Sequence, residues 1–356
     1  MEKSKDFLER LLKKPAWTEL TDPIWLWTSF ECKRNLASSP FPGKLSKEQS
    51  LRIYQVLSNA IKKYGQEDVE IFSKETLSPL DMEILYRRFF CFDKDPTLKD
   101  VEGAAFDVKS TFFLLLNQQD HLTVRFIDTK GSWESSWKEF VHFEETLGQE
   151  LVFAFSNQFG FLTADPGESG TALRITVYLH VPLLSHFEKV GPLIASLEDV
   201  EGCCMAKLRE EFPTDYVLLK NRWTLGVSEE EILRSLHTAT LKLVGEEKLL
   251  RNEIMQNKTS EMKDKVRRAY GLLLHSYRLS TKEAAAALST LKLAIHLLWI
   301  EGMRDTLLCE LLFQIGKAPM IKMLGKLEAS EEEIEHARSI FLQKTLSGVK
   351  LGPELL

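Results

Sequence analysis

Two groups of polar residues stand where chemistry would be sought. Asn117-Gln118-Gln119-Asp120-His121 is the densest polar cluster of its region and lies between the apolar runs Phe112–Leu116 and Leu122–Ile127. The same residues suit a short hairpin turn, because Asn and Asp favour turns. Arg174 opens an alternating stretch directly after the loop Asp165-Pro166-Gly167-Glu168-Ser169-Gly170. That placement suits anion binding, although an exposed arginine on a half-buried sheet is the commoner case. Other chemistries lack their residues. There is no Gly-x-x-x-x-Gly-Lys-Ser/Thr loop, no Gly-x-Gly-x-x-Gly, no His-Glu-x-x-His and no Gly-x-Ser-x-Gly, which disfavours P-loop and Rossmann nucleotide binding and a hydrolase elbow. The eight histidines do not cluster at metal-ligand spacing, so no metal site is predicted.

These residues need elements to position them. Met1–Lys14 carries Phe7, Leu8, Leu11 and Leu12 at helical spacing, with Pro15 ending the pattern, and an aromatic cluster Trp17, Trp25 and Trp27 follows. Ser46–Lys63 reads as an amphipathic helix with Leu51, Tyr54, Leu57 and Ile61 on one face. Another runs from about Pro79 to Phe90, with Ser78 as N-cap and Asp81 at N3. From about 107 to 183 the period is that of strands. Leu173, Ile175, Val177 and Leu179 alternate with Arg174, Thr176, Tyr178 and His180. Beyond residue 228 the chain reads as helical, with capping boxes at Ser228–Glu231, Ser280–Glu283 and Ser330–Glu333.

The chain has 356 residues, 44% of them apolar and 28% charged, with a net charge of −6. That composition belongs to an ordered globular protein of about two domains, and its mild acidity disfavours nucleic-acid binding by bulk charge. No apolar run is long enough to span a bilayer, and the N-terminus has no signal-like apolar core. Five scattered cysteines indicate neither a disulfide framework nor a zinc ribbon. A cytoplasmic location is expected.

Several segments together resemble the ATP:guanidino phosphotransferases, the family of creatine and arginine kinases. Leu114–Leu122 is similar to a segment ending in Asn-Glu-Glu-Asp-His-Leu. Phe161–Arg174 is similar to Gly-Tyr-Leu-Thr-x-Cys-Pro-Thr-Asn-x-Gly-Thr-x-x-Arg. Arg34-Asn35-Leu36 matches the end of Ser-Ser-Arg-x-Arg-x-x-Arg-Asn-Leu, and Trp223–Gly226 matches the segment after the family's mobile loop. Within the family the likeness is to the bacterial protein-arginine kinases, whose C-terminal module resembles Arg268–Leu273 and Leu279–Ala284. The resemblance implies an α+β fold. A guanidino-kinase-like antiparallel sheet flanked by helices would occupy 1–250, helical over about 1–100 and sheet over 101–250. An all-helical dimerisation module would occupy 251–356. It also implies ATP and Mg²⁺ as cofactors, a homodimer, and a zinc-containing activator protein and a Clp-type unfoldase as partners in protein quality control.

The positions that would carry phosphoryl transfer are substituted. Gln119 stands at the family's catalytic base, and an amide neither takes a proton near neutral pH nor offers charge to a guanidinium. The two arginines of Ser-Ser-Arg-x-Arg align with Ser29 and Glu31, the latter an anion in a phosphate cradle. Thr123 replaces another arginine. Arg125, two residues along the same strand and about 7 Å away, is the nearby cation that could substitute. Arg174 matches the family's strand arginine. With Arg34, Arg125 and His121 it makes up the nucleotide-binding set that the resemblance implies. Asp165 stands at the reactive cysteine and keeps a negative charge. The glycine-rich lid is replaced by Cys203–Glu211, in which Arg209 and Glu210 read as a charged helical surface. The protein-arginine kinases' allosteric phosphoarginine pocket falls on Glu332–Ala337, where Glu333 and His336 mark a degenerate version.

The expectation is a protein-arginine-kinase homologue that has become a pseudokinase and works as a binding or regulatory partner. The alternatives are an active kinase using Asp165, Arg174, Arg125 and Glu210 in new roles, or a pocket reused for another anionic small molecule. The homodimer is expected on a separate ground, because the Ala-rich helix 283–300 and its neighbours present more apolar surface than one small helical module needs.

Overall fold

Alternation in Leu173–His180 sends Leu173, Ile175, Val177 and Leu179 to a fully apolar layer and Arg174, Thr176, Tyr178 and His180 to the opposite face. In the computed structural model, which describes residues 22–65, 69–89, 91, 98–107, 112–257 and 260–355, this strand is β8 of an eight-stranded sheet. The expected helix Met1–Lys14 and Trp17 lie outside the described residues. The strands are β1 (Trp25–Arg34), β2 (Val69–Ser73), β3 (Gly103–Asp107), β4 (Phe112–Leu116), β5 (Leu122–Asp128), β8, β9 (Val200–Cys204) and β10 (Tyr216–Asn221), with β6 (Phe155–Ser156) and β7 (Gly160–Phe161) as a separate small hairpin. They lie in the order β2-β3-β4-β5-β1-β8-β10-β9 with antiparallel neighbours.

β1 corrects the expected helical character of residues 1–100. It sits in the centre of the sheet, buried along nearly its whole length. Glu31, Lys33 and Arg34 are inside with Leu26, Trp27 and Phe30, so the sequence shows no apolar–polar alternation to read.

One face is covered by α1 (Lys47–Gly65), α3 (Trp133–Glu150) and α6 (Glu229–Asn257). Phe140 and Phe143 of α3 pack on Phe30, Phe112 and Phe126. The buried stripe of α1 is Ile53, Leu57, Ala60 and Ile61, while Leu51 is exposed, a rotation of the expected face. On the other face Phe113 stacks on Phe89, just beyond the end of α2 (Pro79–Arg88), whose N-terminus has the expected Ser78–Asp81 capping box. Two short helices, α4 (Pro182–His186) and α5 (Val190–Ala195), link β8 to β9.

The C-terminal helices are α7 (Ser260–His275), α8 (Thr281–His296), α9 (Asp305–Gln314), α10 (Lys317–Leu324) and α11 (Glu331–Thr345), with the expected capping boxes starting α8 and α11. Short strands β11 (Ile300–Glu301) and β12 (Lys350–Leu351) pair among them. They close one end of the site face of the sheet: Phe313 contacts Trp27, and Ser289 donates to Asp215 (2.5 Å) and meets His180 (2.9 Å). The Ala-rich helix does not offer the spare apolar surface read from the sequence. Ala284, Ala285, Ala287, Leu288, Leu291, Leu293 and Ala294 are all buried within the same chain, while Leu298 just beyond the helix and Leu327 and Ile340 among its neighbours are exposed.

Lys292 of this helix has no solvent exposure and pairs with Asp305, which also meets His296 at 2.9 Å. Burial pushes the Asp305 carboxyl up, but these two partners outweigh it and hold it below the usual carboxylate range. Asp305→Ala strands a buried ammonium and should cost about 3–5 kcal/mol. Denaturant midpoints should show this loss, and Lys292→Met in the same background should recover part of it.

Candidate functional site

Register places a row of charges across the middle of the sheet. Glu31 of β1 lies opposite Arg125 of β5 on one side and Arg174 of β8 on the other. One step along, Thr176 pairs with Lys220 of β10, which pairs with Glu201 of β9. Cross-strand neighbours on one face must interact, and unpaired charges there would be costly to bury. Arg125 donates from Nε to Glu31 (2.9 Å), with a second contact from Nη2, and also reaches the Phe89 carbonyl (3.3 Å). Arg174 donates to the Asn221 carbonyl at 2.5 Å, with Glu168 at 3.5 Å and Glu201 at 3.8 Å. Lys220 is 3.0 Å from Glu201. Glu31, Arg125, Arg174, Thr176 and Lys220 line a cleft with Glu168, closed by Tyr178, Cys203 and Leu208. Burial pushes the Cys203 thiol up, away from the reactive thiolate form.

Glu168 reaches this cleft from a turn that several contacts hold rigid. Asp165 caps the turn by accepting from the Gly167 N–H (2.9 Å). Thr224 Oγ1 donates to the Ser169 carbonyl (2.8 Å), and the Thr171 N–H donates to the Thr224 carbonyl (2.9 Å). Gly170 has φ +102°, and a Cβ there would lie 2.1 Å from the Thr224 carbonyl, so only glycine allows the approach. The Glu168 carboxylate then bridges Lys33 and Arg174. Sequence reasoning missed Glu168. Its one signal was membership of the loop before Arg174.

The Asn117–His121 segment is the tight turn between β4 and β5. Asn117 sits at φ +60°, its N–H bonded to the His121 carbonyl (2.8 Å). Asp120 is buried and accepts from Asn35 Nδ2 (2.6 Å) and the Ala164 N–H (2.7 Å), which joins this turn to the loop bearing Asp165. Gln118 donates to the Tyr86 hydroxyl (3.0 Å), and Gln119 is exposed. Asp165 is exposed as well. The structure thus brings the loops of the base position and the cysteine position together, with no carboxylate at the former.

Two of the expected nucleotide-binding residues face elsewhere. His121 is fully buried, with Nδ1 accepting from the Leu36 N–H (2.9 Å) and Nε2 donating to the Pro40 carbonyl (3.0 Å). Both nitrogens therefore clamp the 36–40 backbone, and burial holds the imidazole below its usual pKa. Arg34 is also buried, bound to Glu144 (2.8 Å) and the Lys33 carbonyl (2.9 Å) and stacked over Phe161 at 3.6 Å. Each serves packing and lies off the charge row.

The lid segment is not a helical surface. It runs from β9 into a single 3₁₀ turn, Met205–Lys207, with Met205 and Phe212 buried. Arg209 pairs with Glu83 (3.4 Å), and Glu211 with Arg87 (2.7 Å), tying it to α2. In the C-terminal helices, Glu333 caps α11 through Ser330 and meets Lys326 (2.6 Å), which brings its carboxyl down to about 2. His336 Nδ1 meets the Tyr277 carbonyl (2.9 Å). The buried cation of this helix is Arg338, which the sequence reading passed over. It is fully buried and donates to the carbonyls of Ile315 (2.7 Å) and Leu279 (2.5 Å).

Comparison with known proteins bears on this geometry. The family described as "ATP:guanido phosphotransferase, C-terminal catalytic domain" matches residues 52–250, and "Protein-arginine kinase McsB C-terminal domain" matches 259–353. The protein-arginine kinase of Chlamydia pneumoniae is 31% identical over 98% of both chains. The chain belongs to the ATP:guanido phosphotransferase family, in its protein-arginine kinase branch. The protein-arginine kinase of Halothermothrix orenii is 27% identical over 89% of this chain and 92% of its own. Among solved structures, duplicated taurocyamine kinase from Schistosoma mansoni matches with a TM-score of 0.57 at 22% identity, over 67% of this chain and 35% of that one. Lombricine kinase matches with a TM-score of 0.56 at 16% identity, over 66% and 69%. These two show the fold.

The family's reaction uses ATP, typically with Mg²⁺. The residues of this cleft do not fit a triphosphate. Glu31, Glu168 and Glu201 stand among the cations that would have to receive it, and like charges at such range repel. Among the described residues no cluster of His, Cys, Asp and Glu could hold a metal ion, and no helix is long and apolar enough to cross a membrane.

The clamp assigned to His121 is testable. His121→Phe leaves the Leu36 N–H and Pro40 carbonyl without partners and should lower stability by about 2–5 kcal/mol. A buried imidazole with a lowered pKa stabilises the fold above its unfolded value, and that contribution is lost as pH falls below about 6.5. Unfolding midpoints measured from pH 8 to pH 5 should therefore decline less steeply in the variant.

Proposed function

We propose that this protein-arginine kinase homologue is a pseudokinase that works as a binding or regulatory partner in protein quality control. The observation that carries the reading is the charge row, in which Arg125 and Arg174 are already paired with carboxylates of the same chain. Gln119 adds to it, because an exposed amide replaces the group that would hold and deprotonate a guanidinium. Loss of a general base alone typically costs about 10²–10⁴ in rate, and a neutralised cradle compounds the loss. The latched lid segment points the same way, since closure over substrate needs a segment free to move.

The proposal includes a cytoplasmic setting and the partners that the family resemblance implies: a second copy of the chain, a zinc-containing activator protein and a Clp-type unfoldase. One observation favours the alternative of an active kinase with a rearranged site. Asp165 keeps an exposed carboxylate on the loop joined to the Asn117–His121 turn.

Purified protein incubated with Mg-ATP and an arginine-rich protein should yield no phosphoarginine above background by mass spectrometry. Gln119→Glu should not restore labelling, because the neutralised cradle remains. Labelling by the wild type that disappears in Arg174→Ala would establish the active alternative instead.

A further inference from the structure

We propose that Glu168 is a tethered anion, seated where the cleft would otherwise take a polyphosphate oxyanion, so that the cleft is a latent polyphosphate site closed by its own turn. This rests on the reading above, in which the cradle no longer serves phosphotransfer.

A carboxylate and a phosphate recruit the same donors, since both accept charge-assisted hydrogen bonds from ammonium and guanidinium groups. The two oxygens of Glu168 divide between two cations that come from different strands. Oε2 takes the Lys33 ammonium, and Oε1 faces Arg174 Nη2 at 3.5 Å. That is how a bound oxyanion would sit between them. Glu31 lies deeper and is spent on Arg125, with only 5% of its surface exposed. It forms the floor of the cleft. Glu201 lies at the rim with Lys220. Glu168, whose side chain is 27% exposed, therefore occupies the seat between floor and mouth.

The tether gives the carboxylate its advantage. The turn is fixed by the Asp165 cap, by Thr224 and by the close approach at Gly170, so Glu168 meets its cations as an intramolecular partner. A free anion must compete with an effective concentration in the millimolar range or above. It must also approach a cleft where three carboxylates already offset Lys33, Arg125, Arg174 and Lys220. Removing Glu168 leaves those four cations facing two carboxylates, with Lys33 and one side of Arg174 open to a ligand.

The test is titration calorimetry with sodium tripolyphosphate at low ionic strength. The wild type should show no saturable binding at millimolar ligand, and Glu168→Gln should bind roughly tenfold tighter or more. Arg174→Ala added to Glu168→Gln should abolish the gain. Glu168→Asp, one methylene shorter, should fall between the two. Glu253→Gln, which makes the same charge change on the exposed side of α6, should behave as the wild type. The turn is held by backbone groups and by other side chains, and circular dichroism would verify the fold of each variant. Glu168→Ala serves as a second variant with the same expected gain.

The proposal is overturned by folded Glu168→Gln and Glu168→Ala proteins that bind as weakly as the wild type, by saturable wild-type binding, or by an equal gain in Glu253→Gln. Phosphoarginine formation by the wild type would overturn the pseudokinase reading by a separate measurement. Failure of the Glu168 variants to gain binding would leave that reading standing.

Discussion

Glu31 lies between two arginines on neighbouring strands, and the rest of the site follows from that register. In a sheet, residues directly opposite share a small volume, so the identity of one position dictates what its neighbours can do. With a carboxylate at the centre of β1, Arg125 becomes its partner. Burial enforces the pairing, because both side chains are within a tenth of full burial and neither could remain charged alone. Arg174, on the other flank, turns to Asn221, Glu168 and Glu201. The result is a face that is close to neutral where the family's reaction would need concentrated positive charge.

The fold and the charge row are separable here. The apolar layers of the sheet, the helices on one face and the C-terminal helices closing the other end do not depend on the charge row. The architecture can therefore persist while the chemistry changes. Specificity against an anionic ligand arises through repulsion as much as through lost contacts. The lid segment shows the same logic in its dynamics: buried Met205 and Phe212 and two ion pairs to α2 favour one fixed arrangement. Through Lys322–Asp81 and the close packing of Gly316 on Arg87, α2 also meets the C-terminal helices. The lid segment, α2 and the helical module thus share one set of contacts.

Much of the fold was legible where local rules suffice. The alternation of β8 and the capping boxes at Ser78, Ser228, Ser280 and Ser330 depend on neighbours a few residues apart, and all are present. β1 was not legible, because its buried charges are neutralised by Arg125, Glu168 and Glu144, residues roughly a hundred positions away in the chain. His121 and Arg34 were assigned to a nucleotide by resemblance, yet their partners are backbone carbonyls, an amide and a carboxylate that only the tertiary structure brings to them. The Ala-rich helix misled for a related reason. Apolar surface counted on one helix says nothing of how much the same chain already covers. The substitutions at Gln119 and Glu31 were visible at once, but the role of Glu168 needed the turn that carries it.

The central claim is that the cations of this cleft are committed to carboxylates of the same chain and do not receive nucleotide phosphates. The most direct measurement is a phosphorus NMR titration of Mg-ATP with the wild-type protein at low ionic strength. The account predicts that the β- and γ-phosphate resonances keep their free positions and line widths at equimolar protein. Saturable shifts or broadening of those resonances, removed by Arg174→Ala, would contradict it.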